Sequence, residues 1–349
     1  MRISYYDHMN TPDTLGVGVI GLGFMGRTHI AAYKNIAECT VIAVADRDVG
    51  CHTGVATPEG NLDTSSDQSV FDPDQVDIFE SGIDLILKSG IDLVSITTPT
   101  PTHIELAQYA IDHGRHVIIE KPVSLCRSEI IKLDEKARQA GVLVMPAHCM
   151  RFWPAWVWMK RAVSDKDYGE VLSASFIRTG AAPGWNPDFY LDDDSSGGAL
   201  VDLHIHDVDF ILHLFGLPNS VLSRGTRRHV TTEYGFGPSG PKVCAEGGWL
   251  TDTSSPFTMK CTIECERGVI DFDLSRDPEI QVKRPDGSVV DHPEASEQGT
   301  GYDGEMAAMV HAVRSGATVP PVTLTAAADG MSIIEAELRS LELDQQITL

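Results

Sequence analysis

The chain has 349 residues, 42% of them hydrophobic and 22% charged, which is enough for two globular domains of ordinary size and unlike a disordered chain. A formal net charge of −23 argues against nucleic acid and anionic membrane surfaces as partners, because their phosphates would be repelled. Seven cysteines without a Cys-x-x-Cys pair, no basic-then-apolar leader and no apolar run of membrane-spanning length together predict a cytoplasmic protein.

Residues 1–14 read as a polar extension. A short β-branched run (Val17, Val19, Ile20) then drives into Gly21-Leu22-Gly23-Phe24-Met25-Gly26, and a helix-compatible segment follows to Asn35. Gly-x-Gly-x-x-Gly carries meaning in this strand-to-helix setting. The first Gly permits the tight turn and the second lets a pyrophosphate approach the backbone. The third allows close helix–strand packing, and free N–H groups at the helix N-terminus face the phosphates. A second buried strand, Cys39 to Asp48, carries Asp46, 20 positions beyond Gly26. An acidic side chain there accepts from the adenosine ribose hydroxyls and favours NAD, whereas Arg47 beside it keeps NADP open.

Residues 50–77 read as a long loop or insertion. Helical spacing returns over Phe79 to Lys88, and a strand over Leu93 to Thr97 meets Thr98-Pro99-Thr100-Pro101, which delays the next helix to His103–His113. The strand Arg115 to Glu120 ends at Glu120-Lys121-Pro122; a helix from Ser128 to Ala140 and a strand from Val142 to His148 close the series. This alternation predicts a doubly wound parallel sheet. Ligands sit beyond the carboxyl ends of such strands, so the glycine loop, Thr97–His103 and Glu120–Pro122 should converge. Lys121 could donate to a substrate oxygen, with partial burial lowering its pKa; a surface lysine in a βα loop is the alternative.

After Met150 the rhythm changes. A helix over Arg151 to Ala162 and a strand over Gly169 to Thr179 lead into a polar loop, residues 180–198, and a helix from about Ala199 to Phe215. Residues 220–291 read as successive strands of a mostly antiparallel open sheet, closed by helices over Tyr302–Ser315 and Ala326–Leu343. On the helix after the loop, Asp202, His206, Asp209 and His213 stand at i, i+4, i+7 and i+11 and form one polar stripe. Asp202 is expected to hold the His206 ring in one tautomer for general-base work; a plain solvated stripe is the alternative. His204 and His206 look like a metal-binding His-x-His, but two residues apart on a helix point roughly 200° apart, so no metal site is expected. Cys261 and Cys265 would share one strand face and pack. In the loop, Trp185, Asn186, Asp188 and Tyr190 suit a polyhydroxylated ligand or pack on one another.

Between about Leu15 and Leu343, the stretches GLGFMGRTH, VADRD, TTPTPTH, EKPVS, MRFWP, GGALVDLHIHDVD and TAAADGMSIIEAELRS together resemble the glucose–fructose oxidoreductase / inositol dehydrogenase / rhizopine-catabolism (Gfo/Idh/MocA) family. The resemblance implies an α/β chain with an NAD(P)-binding Rossmann domain at 15–148. A substrate and oligomerisation domain with an open sheet would follow at 149–322, and a helix at 323–349 would pack back on the first domain. It implies hydride transfer between nicotinamide and a secondary alcohol of a sugar, cyclitol or related polyol, in a homo-oligomer (dimer or tetramer). The cofactor contacts it implies are Gly21, Gly23, Phe24, Met25 and Gly26 in the first loop, then Asp46 and Arg47. Thr97, Thr98, Pro99, His103, Glu120 and Lys121 complete them. Lys121 would lie beside the nicotinamide, with Asp202 and His206 at the substrate and Arg151, Trp185 and Tyr302 as further pocket residues. In the expected chemistry His206, oriented by Asp202, takes the hydroxyl proton while Lys121 polarises the oxygen, and which of the two is the base stays open. Glycoside cleavage or epimerisation through transient oxidation, and a non-catalytic nucleotide sensor, are the alternatives. The sequence departs from the family pattern at His204, where a small residue is usual, and in the length of residues 50–77.

Overall fold

The computed structural model describes residues 14–55, 69–88, 90–184, 187–190, 192–252, 254–292 and 299–349. The first half runs β1 (Leu15–Ile20), α1 (Phe24–Lys34), β2 (Cys39–Ala45), β3 (Asp77–Phe79), α2 (Gly82–Leu87) and β4 (Leu93–Ile96). It continues with α3 (His103–Asp112), β5 (His116–Glu120), α4 (Arg127–Ala140) and β6 (Val144–Ala147). Among the described residues its six strands pair in parallel in the order β3-β2-β1-β4-β5-β6. Val94, Ile96, Val117, Ile118 and Ile119 are all fully buried, as strands covered by helices on both faces require. The order reverses between β1 and β4, and a crevice opens there beyond the strand ends. The sequence pattern misplaces one boundary. Phe79 belongs to β3, where it pairs with Ala45, and α2 begins only after Ser81 caps it. The short strand was hidden because three residues are too few to show a period. Of the extension and the long loop, residues 1–13 and 56–68 lie outside the described residues.

The second half runs α5 (Pro154–Ser164), β7 (Val171–Ala181), α6 (Pro187–Tyr190), α7 (Asp193–Ser196), α8 (Gly198–Asp202) and α9 (Ile205–Phe215). Then come β8 (Ser220–Thr226), β9 (His229–Gly235), β10 (Lys242–Leu250), β11 (Thr258–Cys265), β12 (Gly268–Asp273), β13 (Ile280–Lys283) and β14 (Val289–Asp291). α10 (Gly301–Arg314), α11 (Leu324–Leu343) and β15 (Ile347–Thr348) end the chain. Among the described residues these strands make a nine-stranded sheet, β14-β13-β12-β11-β7-β10-β9-β8-β15, antiparallel except where β7 meets β10. Along β11 burial alternates residue by residue, so one face is core and the other is not. On the core face Trp156 meets Phe210 edge-on at 4.5 Å and Phe272 at 5.4 Å, geometry that aromatic quadrupoles favour. Cys261 and Cys265 lie on that same buried face as free thiols. α11 packs against α4 of the first half and against α9 and β8 of the second, and β15 pairs with β8. The C-terminal segment therefore ties both halves together.

Candidate active site

Backbone geometry builds one end of the crevice. Gly21 has φ +93°, and a Cβ there would lie 2.8 Å from the Thr97 carbonyl oxygen. At Gly26 a Cβ would sit 1.8 Å from the Gly21 carbonyl oxygen, so close helix–strand packing forbids any side chain. At Gly23, by contrast, a Cβ would meet nothing within 4 Å: that face is open to a ligand. Gly23 also offers no side-chain cap to α1, which leaves first-turn N–H groups for an anion. Asp46 docks on this loop, its Oδ2 accepting from Leu22 N at 2.6 Å and its Oδ1 from Asp48 N at 2.9 Å. The Thr97 hydroxyl reaches the Ile20 and Gly21 carbonyls at 2.9 and 2.8 Å, and the buried His103 ring lies between the Thr98 and Pro122 carbonyls at 2.7 and 3.0 Å. The three stretches expected to converge are thus joined by hydrogen bonds. An open glycine cradle, free helix N–H groups and a fixed carboxylate fit a dinucleotide.

The other end is made of side chains. Buried Glu120 accepts from His29 Nε2 at 3.2 Å and from Lys121 N at 3.0 Å. Burial works to raise its pKa, but the His29 hydrogen bond and the Lys121 charge outweigh that and hold it below the usual range. Lys121 Nζ donates to Asp202 Oδ1 at 2.9 Å and to the Asp202 carbonyl at 2.6 Å. Burial opposes its charge, yet the Asp202 and Glu120 carboxylates prevail and push its pKa up. The expected lowering is therefore overturned: Lys121 is an ammonium. His206 goes the other way. Burial, then the positive charges of Lys121 and Arg178, hold its pKa well below the usual value, so the ring is neutral. Its Nδ1 is buried without a hydrogen-bond partner among the described residues. The expectation that Asp202 orients this ring fails, because the Asp202 carboxylate is taken by Lys121.

The cause is a break in the helix. A single helix over Ala199–Phe215 was expected, but Leu203 N and His204 N both bond to the Ala199 carbonyl, at 2.9 and 2.8 Å. His206 N turns to the Leu203 carbonyl at 3.4 Å, and the Asp202 carbonyl is left facing Lys121. Nor do Asp209 and His213 continue a solvated stripe. Asp209 is buried and takes both Arg151 Nε and Nη2, at 2.8 and 2.7 Å. His213 is pushed down to about 4 by burial and by the nearby Arg151 and Lys160 charges. Arg151, expected in the substrate pocket, is paired with Asp209 and is not among the residues that line the cleft.

Glycine loop, Asp46, Arg47, Thr98, Pro99, Lys121, Asp202, His206 and Tyr302 line one cleft of about 840 Å³, along with Phe24 and Met25. Tyr302 meets Trp153 edge-on at 6.0 Å. Trp185 lies outside the described residues. Arg178 also lines the cleft and was missed. It is only 2% exposed, bonds Asp207 through Nε and Nη2 at 2.9 Å each, and lies 5.5 Å from the centre of the Trp156 ring. The signal was present: Ala174, Phe176 and Arg178 share one face of β7, and a guanidinium on an apolar face needs a buried carboxylate.

A nucleotide cradle at a sheet's switch point, with a lysine at the end of the same sheet and a neutral histidine brought from the second half, defines a dinucleotide-binding architecture of two halves. Residues 15–148 match the model of the "Oxidoreductase family, NAD-binding Rossmann fold", and residues 156–270 match the GFO/IDH/MocA C-terminal domain. The chain belongs to the GFO/IDH/MocA family, and its cofactor is of the nicotinamide dinucleotide kind. It is 32% identical over 200 residues to the scyllo-inositol 2-dehydrogenase (NAD(+)) of Bacillus subtilis, a match covering 57% of this chain and 53% of that one. It is 32% identical over 170 residues to inositol 2-dehydrogenase 1 of Saccharopolyspora erythraea, covering 48% and 47%. The chain spans about half the length of the relatives it matches. Among solved structures, levoglucosan dehydrogenase in complex with NADH and levoglucosan superposes with a TM-score of 0.81 at 20% identity, covering 96% of this chain and 99% of that one. At that identity the likeness is one of fold.

Proposed function

We propose that this chain oxidises a secondary alcohol of a sugar, cyclitol or related polyol with NAD as acceptor. The observation that carries the reading is that Lys121, bonded to Asp202 at 2.9 Å, and His206 line the same cleft as the glycine loop, with neighbouring carboxylates favouring the lysine's charge and burial favouring the neutral ring. The names of the inositol and sugar dehydrogenases among its relatives support the substrate class. The glycine loop and first turn of α1 would hold the pyrophosphate and Asp46 the adenosine ribose. Thr97–Pro99 and Glu120–Lys121 would flank the nicotinamide. When bound, nicotinamide supplies the acceptor for the hydrogen that leaves carbon as hydride. Lys121 donates to the substrate oxygen and stabilises the negative charge that develops on it. His206 accepts the hydroxyl proton at Nε2, since Nδ1 is buried, and Asp202 serves by holding Lys121 rather than the ring. Asp46 favours NAD over NADP, because a 2′-phosphate would meet its carboxylate.

The free state of all seven cysteines supports a reducing, cytoplasmic setting, and the open face of the second sheet supports a homo-oligomer. The test is formation of reduced nicotinamide across a panel of inositols, aldoses and their derivatives, with wild type, Lys121→Ala and His206→Ala. Each variant should lose about 10²–10⁴-fold in kcat. Because a neutral His206 is required and its pKa is depressed, wild-type activity should persist below the usual histidine range and fall only at lower pH. Near-normal turnover by both variants would sink the assignment, and turnover without net reduced cofactor would point instead to transient oxidation.

A further inference from the structure

We propose that His204, held by Tyr234 and Glu337, is a positioning residue that keeps the α8–α9 break open and thereby sets Lys121 and His206 for catalysis. This rests on the oxidoreductase reading above. His204 stands at the break, between Asp202 and His206, and its side chain goes to the opposite side, into the core. His204 and Glu337 are 0% exposed and Tyr234 is 3% exposed. His204 Nε2 is 3.0 Å from the Tyr234 hydroxyl and 3.4 Å from Glu337 Oε1, and that hydroxyl donates to Glu337 Oε1 at 2.6 Å. Three distant elements, the break, β9 and α11, therefore meet at one buried point.

The space for the ring is built into β10. A Cβ on Gly247 would lie 2.5 Å from His204 Nδ1 and 2.7 Å from His204 Cβ, so histidine at 204 requires glycine at 247. The break has a direct consequence for the site. In a continuous helix the Asp202 carbonyl would accept from His206 N. Here it accepts from Lys121 Nζ instead, at 2.6 Å. The break thus leaves one of the two acceptors that hold the Lys121 ammonium free of the helix's own hydrogen bond. The charged and titratable groups around His204 are Glu337, Tyr234, Asp207 and Arg178; burial opposes its charge, but Glu337 prevails and raises its pKa. Around Lys121 they are Asp202, Glu120, Tyr190, His206, His148 and Cys149.

The decisive experiment is the crystal structure of His204→Ala, with kinetics on the same variant. The helix should close across 203–204, with His206 N on the Asp202 carbonyl and Lys121 Nζ withdrawn from it. An unchanged break with Lys121 still on that carbonyl overturns the proposal, whether or not a substrate has been found. With a polyol that wild type oxidises, kcat should fall about tenfold or more with little change in KM. The basic limb of the pH profile should move to lower pH as Lys121 loses an acceptor. His204→Gln, which keeps a donor toward Tyr234 and Glu337, should recover most of both. A folded His204→Ala with wild-type kcat and pH profile also overturns it. Should His204→Ala fail to fold, Gly247→Ala displaces the same ring and must give the same kinetic signature, and normal kinetics there count against the proposal. Wild type inert on every polyol is a failure of the oxidoreductase reading alone, since the crystallographic outcome still decides this one.

Discussion

At the dinucleotide end of the cleft the contacts are mostly to backbone atoms, with Asp46 docking on Leu22 from 24 positions away and the Thr97 hydroxyl on Gly21 from 76. At and behind the substrate end they are charge pairs between distant residues: Arg178 with Asp207, which is buried, and Arg151 with Asp209 and Lys121 with Asp202, which are part-buried, separated by 29, 58 and 81 positions. The first end tolerates almost any side chain that points away and no Cβ at Gly26. The second tolerates shape changes and no unpaired charge. Loss of a partner is thus expected to be more damaging there than crowding is at the glycine loop.

The largest effect should come from Asp207→Ala. It strands the Arg178 guanidinium in the core, and breaking a buried pair from one side costs about 3–5 kcal/mol. The urea midpoint should fall accordingly, with catalysis lost alongside because Arg178 lies at the cleft. Replacing both partners by apolar residues of similar volume should restore most of the stability, though not the activity. A loss of only a few tenths of a kcal/mol in Asp207→Ala would remove the distinction between the two ends.

Crowding the first end should cost less. In Gly26→Ala the new methyl group meets the Gly21 carbonyl, which is backbone and cannot swing aside. Overpacking of this kind costs about 1–3 kcal/mol. It should appear as a weaker Kd for reduced nicotinamide dinucleotide, read by its fluorescence, while the unfolding of the second sheet stays as in wild type. Equal binding in the variant would mean that loop and helix can separate without loss.

The same contrast explains what could be read from the chain before its structure. The glycine loop, Asp46, Thr97 and Lys121 are marked by local pattern: a strand, a turn residue type and a helix start, all within a few positions. That Lys121 pairs with Asp202 was not foreseen: family resemblance put both in one site, but nothing in spacing links residues 81 apart. Periodicity put Asp202, His206, Asp209 and His213 on one stripe, and it was wrong about the stripe because a buried histidine at 204 interrupts the helix. Arg151 was a pocket candidate from the family resemblance of MRFWP alone, and nothing in spacing pointed to its partner Asp209, 58 positions on. The alternation of β7 did contain the Arg178 signal, a charge among core residues, but its partner lies on another element.

Asp46 sharpens the comparison because it belongs to the first end yet acts by charge. Its carboxylate is already fixed by two backbone amides, so it can reject a 2′-phosphate without moving. Asp46→Asn removes the charge and retains the shape. The ratio of kcat/KM for NAD to that for NADP should drop about tenfold, or about 1.4 kcal/mol. An unchanged ratio would assign the preference to Arg47 or to parts of the adenine pocket beyond it.

The smallest effect probes a buried carboxyl outside the cleft lining that has no hydrogen-bond partner among the described residues for either oxygen, Glu305 on α10. It is 0% exposed, and burial followed by the Glu120 and Asp209 charges holds its carboxyl well above the usual range. The folded protein therefore keeps a proton here that the unfolded chain releases once pH passes the ordinary glutamate value. Linkage then makes this residue a growing liability as pH rises from that value toward the folded pKa, and no liability below it. Glu305→Gln keeps the shape and cannot ionise. Its thermal midpoint should match wild type near pH 4 and exceed it at pH 8, by about 2–4 °C for each kcal/mol gained. A gap that stays constant with pH would mean that Glu305 titrates alike in both states, and that this unpaired buried carboxyl finds compensation the paired ones do not need.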